Sequence, residues 1–326
     1  MGLLLWTAVF VFSAAVLIKS AGWFVKGAED IGLRWGMPPF LIGATIVAAG
    51  TSLPELASSL AAVTRGETGL VMANVVGSNI TNIFLILGVA AISAGGLRLG
   101  SDFSLLELTM LLLGNILLAA ISWNGIVGTL AGLFLLGNFI VYIVFKFLRE
   151  SRFLVGESMR DIRGRAKLAG DMGLPRLSTS RSVVLLSMGI VGLSLGAQYV
   201  IESILSLSRL LHIPGTLIAI TALAIGTSLP ELVVSVSAVL KKKEGIAVGN
   251  IIGSNIFNAL FIVGLLAPFK DLRVDMLTRK VGLPFLILSA VLIIWPWFKG
   301  EITRRSGIVY LLIFLIFLTL LAGSLG

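Results

Sequence analysis

The chain has 326 residues, of which 57 % are apolar and only 13 % charged, and a mean hydropathy of +1.05. That leaves too little polar surface to cover a soluble globule, so the chain belongs in a bilayer. A formal charge of +9 does not indicate nucleic acid, because the basic residues sit at the ends of apolar runs and in one central segment; with no cysteine there is neither a disulfide frame nor a thiolate metal site.

A hydrocarbon core of roughly 30 Å needs about 20 mainly apolar residues per helix. Ten segments meet that rule: 3–28, 38–63, 69–94, 103–122, 125–147, 183–208, 214–239, 246–268, 279–298 and 306–324. The first run has no basic residue ahead of it and continues as Lys19-Ser20-Ala21-Gly22-Trp23. It therefore reads as a span and not as a cleaved signal peptide. Trp6, Trp123, Trp295 and Trp297 fall near expected span ends, where indole rings favour the headgroup region. The one long polar segment, 149–182, runs from Arg149 through Arg152, Arg160, Arg163, Arg165, Lys167 and Arg176 to Arg181. It is expected to be a cytoplasmic linker, with a regulatory helix or an anionic-lipid contact as alternatives.

Five spans precede that linker, so placing it in the cytoplasm puts both termini outside. The basic residues support the choice. Lys26, Arg34, Arg98, Lys146, Lys241, Lys242, Lys243, Lys299, Arg304 and Arg305 join the linker group on the cytoplasmic side. The external side keeps Arg65, Arg209, Lys270, Arg273, Arg279 and Lys280. The single histidine, His212, falls in an expected external loop and reads as a solvated residue.

Gly50-Thr51-Ser52-Leu53-Pro54-Glu55 recurs letter for letter as Gly226-Thr227-Ser228-Leu229-Pro230-Glu231, an offset of 176 residues. At that same offset Pro38 aligns with Pro214, Thr45 with Thr221, Asn74 with Asn250, Gly77-Ser78-Asn79-Ile80 with Gly253-Ser254-Asn255-Ile256, Asn82 with Asn258 and Gly88 with Gly264. The chain thus divides into a first half, 1–148 with its motif region at 38–88, the 149–182 linker, and a second half, 183–326 with its motif region at 214–264. Each half has five spans, an odd number, so the two copies enter the membrane from opposite sides. Inverted repeats with interrupted helices meeting near the midplane are the sequence signature of an alternating-access transporter.

The motifs also specify chemistry. Pro54 cannot donate to the carbonyl of Gly50 and its ring displaces that group, so the helix should kink between Gly50 and Pro54, and Pro230 should do the same after Gly226. Carbonyls freed in hydrocarbon need protein, water or an ion as partner. A glutamate inside a membrane helix costs roughly 2.5 to 3.5 kcal/mol even on insertion scales, so two of them imply a use. Asn74, Ser78 and Asn82, spaced at i, i+4 and i+8, share one helix face, as do Asn250, Ser254 and Asn258. Gly77 and Gly253 are expected to permit close helix approach beside them. Carboxylates, hydroxyls, amides and freed carbonyls form an all-oxygen set suited to a hard cation such as Ca²⁺. Without that cation the paired carboxylates repel and must gain Na⁺ or H⁺.

These residues resemble the cation/calcium exchanger superfamily, in particular its prokaryotic sodium/calcium exchanger-like members. The resemblance rests on Gly50 to Glu55 with Gly77 to Asn82, and on Gly226 to Glu231 with Gly253 to Asn258. It implies an all-α integral membrane protein of ten helices in two inverted five-helix repeats, with the ions held by helices two, three, seven and eight. It further implies Glu55 and Glu231 as central calcium ligands, backbone carbonyls from Thr51 and Thr227, and oxygens from Ser52, Ser228, Ser78 and Ser254. Ala48 and Ala224 would lend carbonyls to sodium, Asn82 and Asn258 would complete the set, and the first and sixth helices would slide to alternate access. Well-known sodium-coupled members carry Asp at one of the positions of Asn82 and Asn258, and here both are Asn. The reading is an antiporter of Ca²⁺ against Na⁺, with H⁺/Ca²⁺ exchange through the same glutamates as the nearest alternative and a cation channel as a more distant one. No enzymatic activity, cofactor or nucleic-acid partner is expected. The expected setting is a monomer in a prokaryotic inner membrane.

Overall fold

The computed structural model describes residues 2–99, 103–156, 178–211 and 226–323. Among them the chain is an all-helical membrane protein, with nine helices long and apolar enough to cross a bilayer and one shorter apolar helix. In chain order these are α1 (Gly2–Arg34), α2 (Pro39–Arg65), α3 (Thr68–Ala94), α4 (Leu105–Ser122), α5 (Thr129–Gly156), α6 (Thr179–Leu210), α7 (Leu229–Leu240), α8 (Glu244–Leu266), α9 (Thr278–Lys299) and α10 (Arg304–Gly323). Four short strands, β1 (Gly96–Arg98), β2 (Ile126–Val127), β3 (Leu272–Arg273) and β4 (Glu301–Thr303), join the helix ends.

Nine of the ten expected spans thus have a full helix. For the seventh, expected at 214–239, α7 supplies the second half, while Pro214, Thr221 and Ala224, together with His212, lie outside the described residues. α1 is longer than its apolar run because Glu29, Asp30 and Arg34 continue the helix beyond the hydrocarbon, with Arg34 pairing to Asp30 at 3.0 Å. Helix also takes up both ends of the polar 149–182 segment, since α5 runs to Gly156 and α6 starts at Thr179; residues 157–177 lie outside the described residues. α4 begins with a reciprocal cap in which Ser104 and Glu107 satisfy each other's end of the first turn.

The strands pair reciprocally. β1 runs antiparallel to β4, with Leu97 opposite Ile302, and β2 runs antiparallel to β3, with Val127 opposite Leu272. Shifted by 176 residues, β1 falls on β3 and β2 on β4, so the two ribbons are counterparts. One ribbon ties α3 to α10 at one end of the bundle and the other ties α4 to α9 at the opposite end.

α3 and α8 are the most enclosed helices, while α1, α5 and α10 expose most of their apolar side chains, as lipid-facing helices do. α2 crosses α8 at backbone contact. A Cβ added to Gly253 would lie 2.6 Å from both the Cα and the carbonyl oxygen of Ala44, and one on Gly249 would strike the Phe40 carbonyl. Small residues therefore set this crossing, as in other membrane bundles. Gly253 behaves as expected from the sequence; at Gly77 nothing among the described residues comes within 4 Å of such a Cβ. α1 and α6 form a second close pair, in which Gly189 and Gly196 receive Phe24 and Leu17. Phe24 also lies over Gly50, so this pair covers α2 where its regular helix ends.

Candidate ion-binding site

Both signature motifs break their helix at the same residue. Ser52 has φ −84° and ψ 5°, Ser228 has φ −87° and ψ 8°, and each is followed by a new helical segment with proline in its first turn. Proline is tolerated there because first-turn N–H groups have no intrahelical partner. The break puts Glu55 and Glu231 in the first turn of a helical segment, where unpaired N–H groups favour a carboxylate. Both glutamates are fully buried. The backbone also widens into a π-helical turn at Gly43–Val47, just before Ala48, and at Asn82–Ile86 and Phe257–Ile262, which carry Asn82 and Asn258. Such turns recur at functional positions, and nothing in the sequence marked them.

The half-sites are built alike. Asn74 donates to the Ser59 hydroxyl at 3.1 Å and to the Glu55 carbonyl at 3.4 Å, and Asn250 donates to Ser235 at 2.9 Å and to the Glu231 carbonyl at 3.5 Å. Each asparagine then accepts across the interface: Thr51 donates to Asn250 Oδ1 and Thr227 to Asn74 Oδ1, both at 3.0 Å. Each half thus clamps the helix break of the other. Asn74 and Asn250 were legible as polar-face residues, but their role as clamps needed the fold.

Symmetry ends at the carboxylates. Ser52 Oγ donates to Glu231 Oε1 at 3.1 Å, whereas Ser228 Oγ has no hydrogen-bond partner among the described residues. Both Glu55 oxygens, Glu231 Oε2, Ser254 Oγ, Asn82 Oδ1 and both polar atoms of Asn258 are likewise unpartnered and buried. Ser78 instead shares a 3.2 Å hydrogen bond with Thr227, which among the described site residues is the half-buried one. The Ala48 carbonyl already accepts from the Ser52 N–H at 3.0 Å and from Thr51 Oγ1 at 3.3 Å. Ala224, its expected counterpart, lies outside the described residues.

Buried polar atoms without partners are rare in folded proteins, and a concentration of them marks a place where something else binds. Here the acceptors are two carboxylates, hydroxyls and amide oxygens. No group of three or more His, Cys, Asp or Glu occurs among the described residues, so a cation at this place would draw its remaining oxygens from neutral groups. Behind the carboxylates, Asn79 donates to Asn115 Oδ1 and to the Asn255 carbonyl, each at 3.0 Å. Asn115 on α4 had no signal in the repeat, because Val291 occupies the matching position.

Residues 5–148 and 181–323 match the family model described as sodium/calcium exchanger protein. The chain belongs to the sodium/calcium exchanger family. It is 34 % identical to the sodium/calcium exchanger MaX1 of Methanosarcina acetivorans, covering 96 % of this chain and 97 % of that one. It is also 32 % identical to the inner membrane protein YrbG of Escherichia coli, over 89 % of this chain and 88 % of the relative. A solved structure of the sodium-calcium exchanger NCX_Mj, soaked with Na⁺ and Sr²⁺, superposes with a TM-score of 0.78 at 29 % identity, over 96 % of this chain and 97 % of that one.

The two matched stretches of the exchanger family are separated by residues 149–180, nearly the whole of the polar 149–182 segment. Ten of the twelve expected site residues of this family member are buried, namely Ala48, Thr51, Ser52, Glu55, Ser78, Asn82, Ser228, Glu231, Ser254 and Asn258, and hydrogen bonds join Ser52 to Glu231 and Ser78 to Thr227 across the halves.

Proposed function

We propose that the chain is a secondary antiporter that exchanges Ca²⁺ for Na⁺ by alternating access. The observation that carries the reading is the pair of buried glutamates at the two helix breaks, whose oxygens, apart from the one that accepts from Ser52, have no partner among the described residues. Two carboxylates balance one Ca²⁺. Emptied, they repel in a medium of low dielectric, so the site must reload with monovalent cations before it can return. Exchange, and not free diffusion, follows from that requirement. Glu55 and Glu231 would hold Ca²⁺ directly; Thr51, Thr227, Ser52, Ser228, Ser78 and Ser254 would add neutral oxygens; Ala48 and Ala224 would serve sodium. Asn82 and Asn258 would complete the coordination without adding charge. The halves would be inverted repeats, with α1 and α6 moving as a pair over the breaks. The lysine-rich end would face the cytoplasm of a prokaryotic cell and both termini the outside.

Proton coupling is the second reading, and the neutral Asn82 and Asn258 favour it, because protonation of the two glutamates alone would offset the charge of one Ca²⁺. We assign no enzymatic role: the Ser52 hydroxyl donates to Glu231 and not to a His or Lys base. The proposed antiporter works without a cofactor and as a monomer.

Purified protein in sealed vesicles tests this. ⁴⁵Ca²⁺ uptake driven by an outward Na⁺ gradient is the expected result, with loss of uptake in Glu55→Gln and in Glu231→Gln although both variants remain folded in the membrane. Uptake driven only by a pH gradient would replace sodium with protons. Uptake that follows voltage with no counter-ion would make the protein a channel.

A further inference from the structure

Among the described residues, Lys243 is the one member of Lys241, Lys242 and Lys243 that forms an ion pair, with Glu29 of α1. Lys241 reaches the opposite way and rests in the notch left by Gly22, where a Cβ would lie 3.2 Å from its Nζ. On α1, Lys19 and Lys26 flank Gly22 on the same face at i−3 and i+4, and both are exposed. Lys19 lies mid-helix and directs its ammonium along α1 toward that end, 5.2 Å from the centroid of the Trp23 ring. Partial burial, followed by the Lys243 and Lys26 charges, pushes the Lys241 pKa down, and Glu29 opposes only part of this.

A comparison of the halves indicates that this charge is specific to one of them. The turn matching Lys241-Lys242-Lys243 is Arg65-Gly66-Glu67, which carries no net charge. Gly66 takes a left-handed φ of 83°, a conformation glycine adopts freely, and Lys242 holds the matching position at φ 59°. A lysine there is strained by its Cβ. The second half therefore carries a cation at a position where glycine would be easier.

We infer that Lys19, Lys26 and Lys241 form a binding site for the phosphate of an anionic phospholipid at the junction of α1 and α7. The phosphate would sit between the ammonium groups around Gly22, and the acyl chains would lie along the half-buried Trp23 on the membrane face of α1. Basic pockets between helices at a membrane surface are the known setting for such headgroups. Since α1 and Lys241 are held together only while α1 packs on α7, bound lipid favours that packed arrangement.

Trp23 allows a direct test. Intrinsic fluorescence of the full-length protein is compared in vesicles containing bromine-labelled acyl chains on phosphatidylglycerol and, at equal mole fraction, on phosphatidylcholine. Stronger quenching by the anionic lipid is expected. The excess should disappear in Trp23→Phe, which assigns it to this ring, and in the combined Lys19→Gln, Lys26→Gln, Lys241→Gln variant. It should persist when the same lysines are changed to arginine, which shows that the glutamine result is not misfolding. Equal quenching by both lipids, or an excess retained by the glutamine variant, would overturn the inference. Relief of the excess by inorganic phosphate would also overturn it, by identifying a soluble anion as the ligand.

Discussion

Ser52→Ala and Ser228→Ala are the same substitution at matching positions, yet the structure gives them different consequences. Ser52 donates to Glu231 Oε1 at 3.1 Å, and Glu231 Oε2 has no partner among the described residues, so Ser52→Ala removes a hydrogen bond from a buried, incompletely satisfied carboxylate. A hydrogen bond to a charged group contributes about 1.5–3 kcal/mol. At about 1.4 kcal/mol per factor of ten, that is a roughly ten- to hundredfold loss in the folded-to-unfolded ratio. Ser228 Oγ is buried with no partner among the described residues, and removing an unsatisfied hydroxyl is close to neutral. Denaturant unfolding of the purified, cation-free protein in detergent, followed by tryptophan fluorescence, measures both variants. Saturating Ca²⁺ should narrow the gap, because an ion held by both glutamates supplies what the serine gave. Equal destabilisation by the two variants without cation would refute the reasoning, since the hydrogen bond would then not distinguish the halves.

Other substitutions probe the frame around the site. Lys146 and Glu107 form a buried ion pair at 3.4 Å, with Tyr142 accepting from Lys146 at 2.9 Å, so Lys146→Met should cost about 3–5 kcal/mol by leaving a buried carboxylate uncompensated. Adding Glu107→Gln should recover much of that loss in the same unfolding assay. Gly253→Val would drive a side chain into the Ala44 backbone at the α2–α8 crossing and should prevent recovery of monodisperse protein, as judged by size-exclusion chromatography. Overpacking of this kind costs about 1–3 kcal/mol where side chains can yield, and here the neighbour is backbone. Asn258→Asp adds a carboxylate beside Glu55 and Glu231, so Na⁺ should bind more tightly and Ca²⁺ uptake should respond to Na⁺ at lower concentration. An unchanged sodium dependence would place Asn258 away from the sodium path.

Most of the architecture was legible in the sequence because a bilayer imposes simple rules. Apolar length marked the spans, and the 176-residue offset paired Glu55 with Glu231 and Asn74 with Asn250. Proline beside an intramembrane carboxylate marked the breaks. What stayed hidden depends on contacts between distant segments. The sequence showed two identical motifs and could not show that Ser52 reaches Glu231 while Ser228 reaches no partner among the described residues, since that difference arises from how the halves pack. The π-helical turns at Asn82 and Asn258 carry no composition signal, because one extra residue per turn leaves the apolar pattern almost unaltered. Asn115 looked like a stray polar residue until α4 brought it to Asn79. The sequence by itself therefore determined which chemical groups lie in the membrane and in what repeated order. Only the tertiary structure decided which of those buried oxygens find a partner among the described residues and which do not, because that depends on distances of a few ångströms across the interface between the halves.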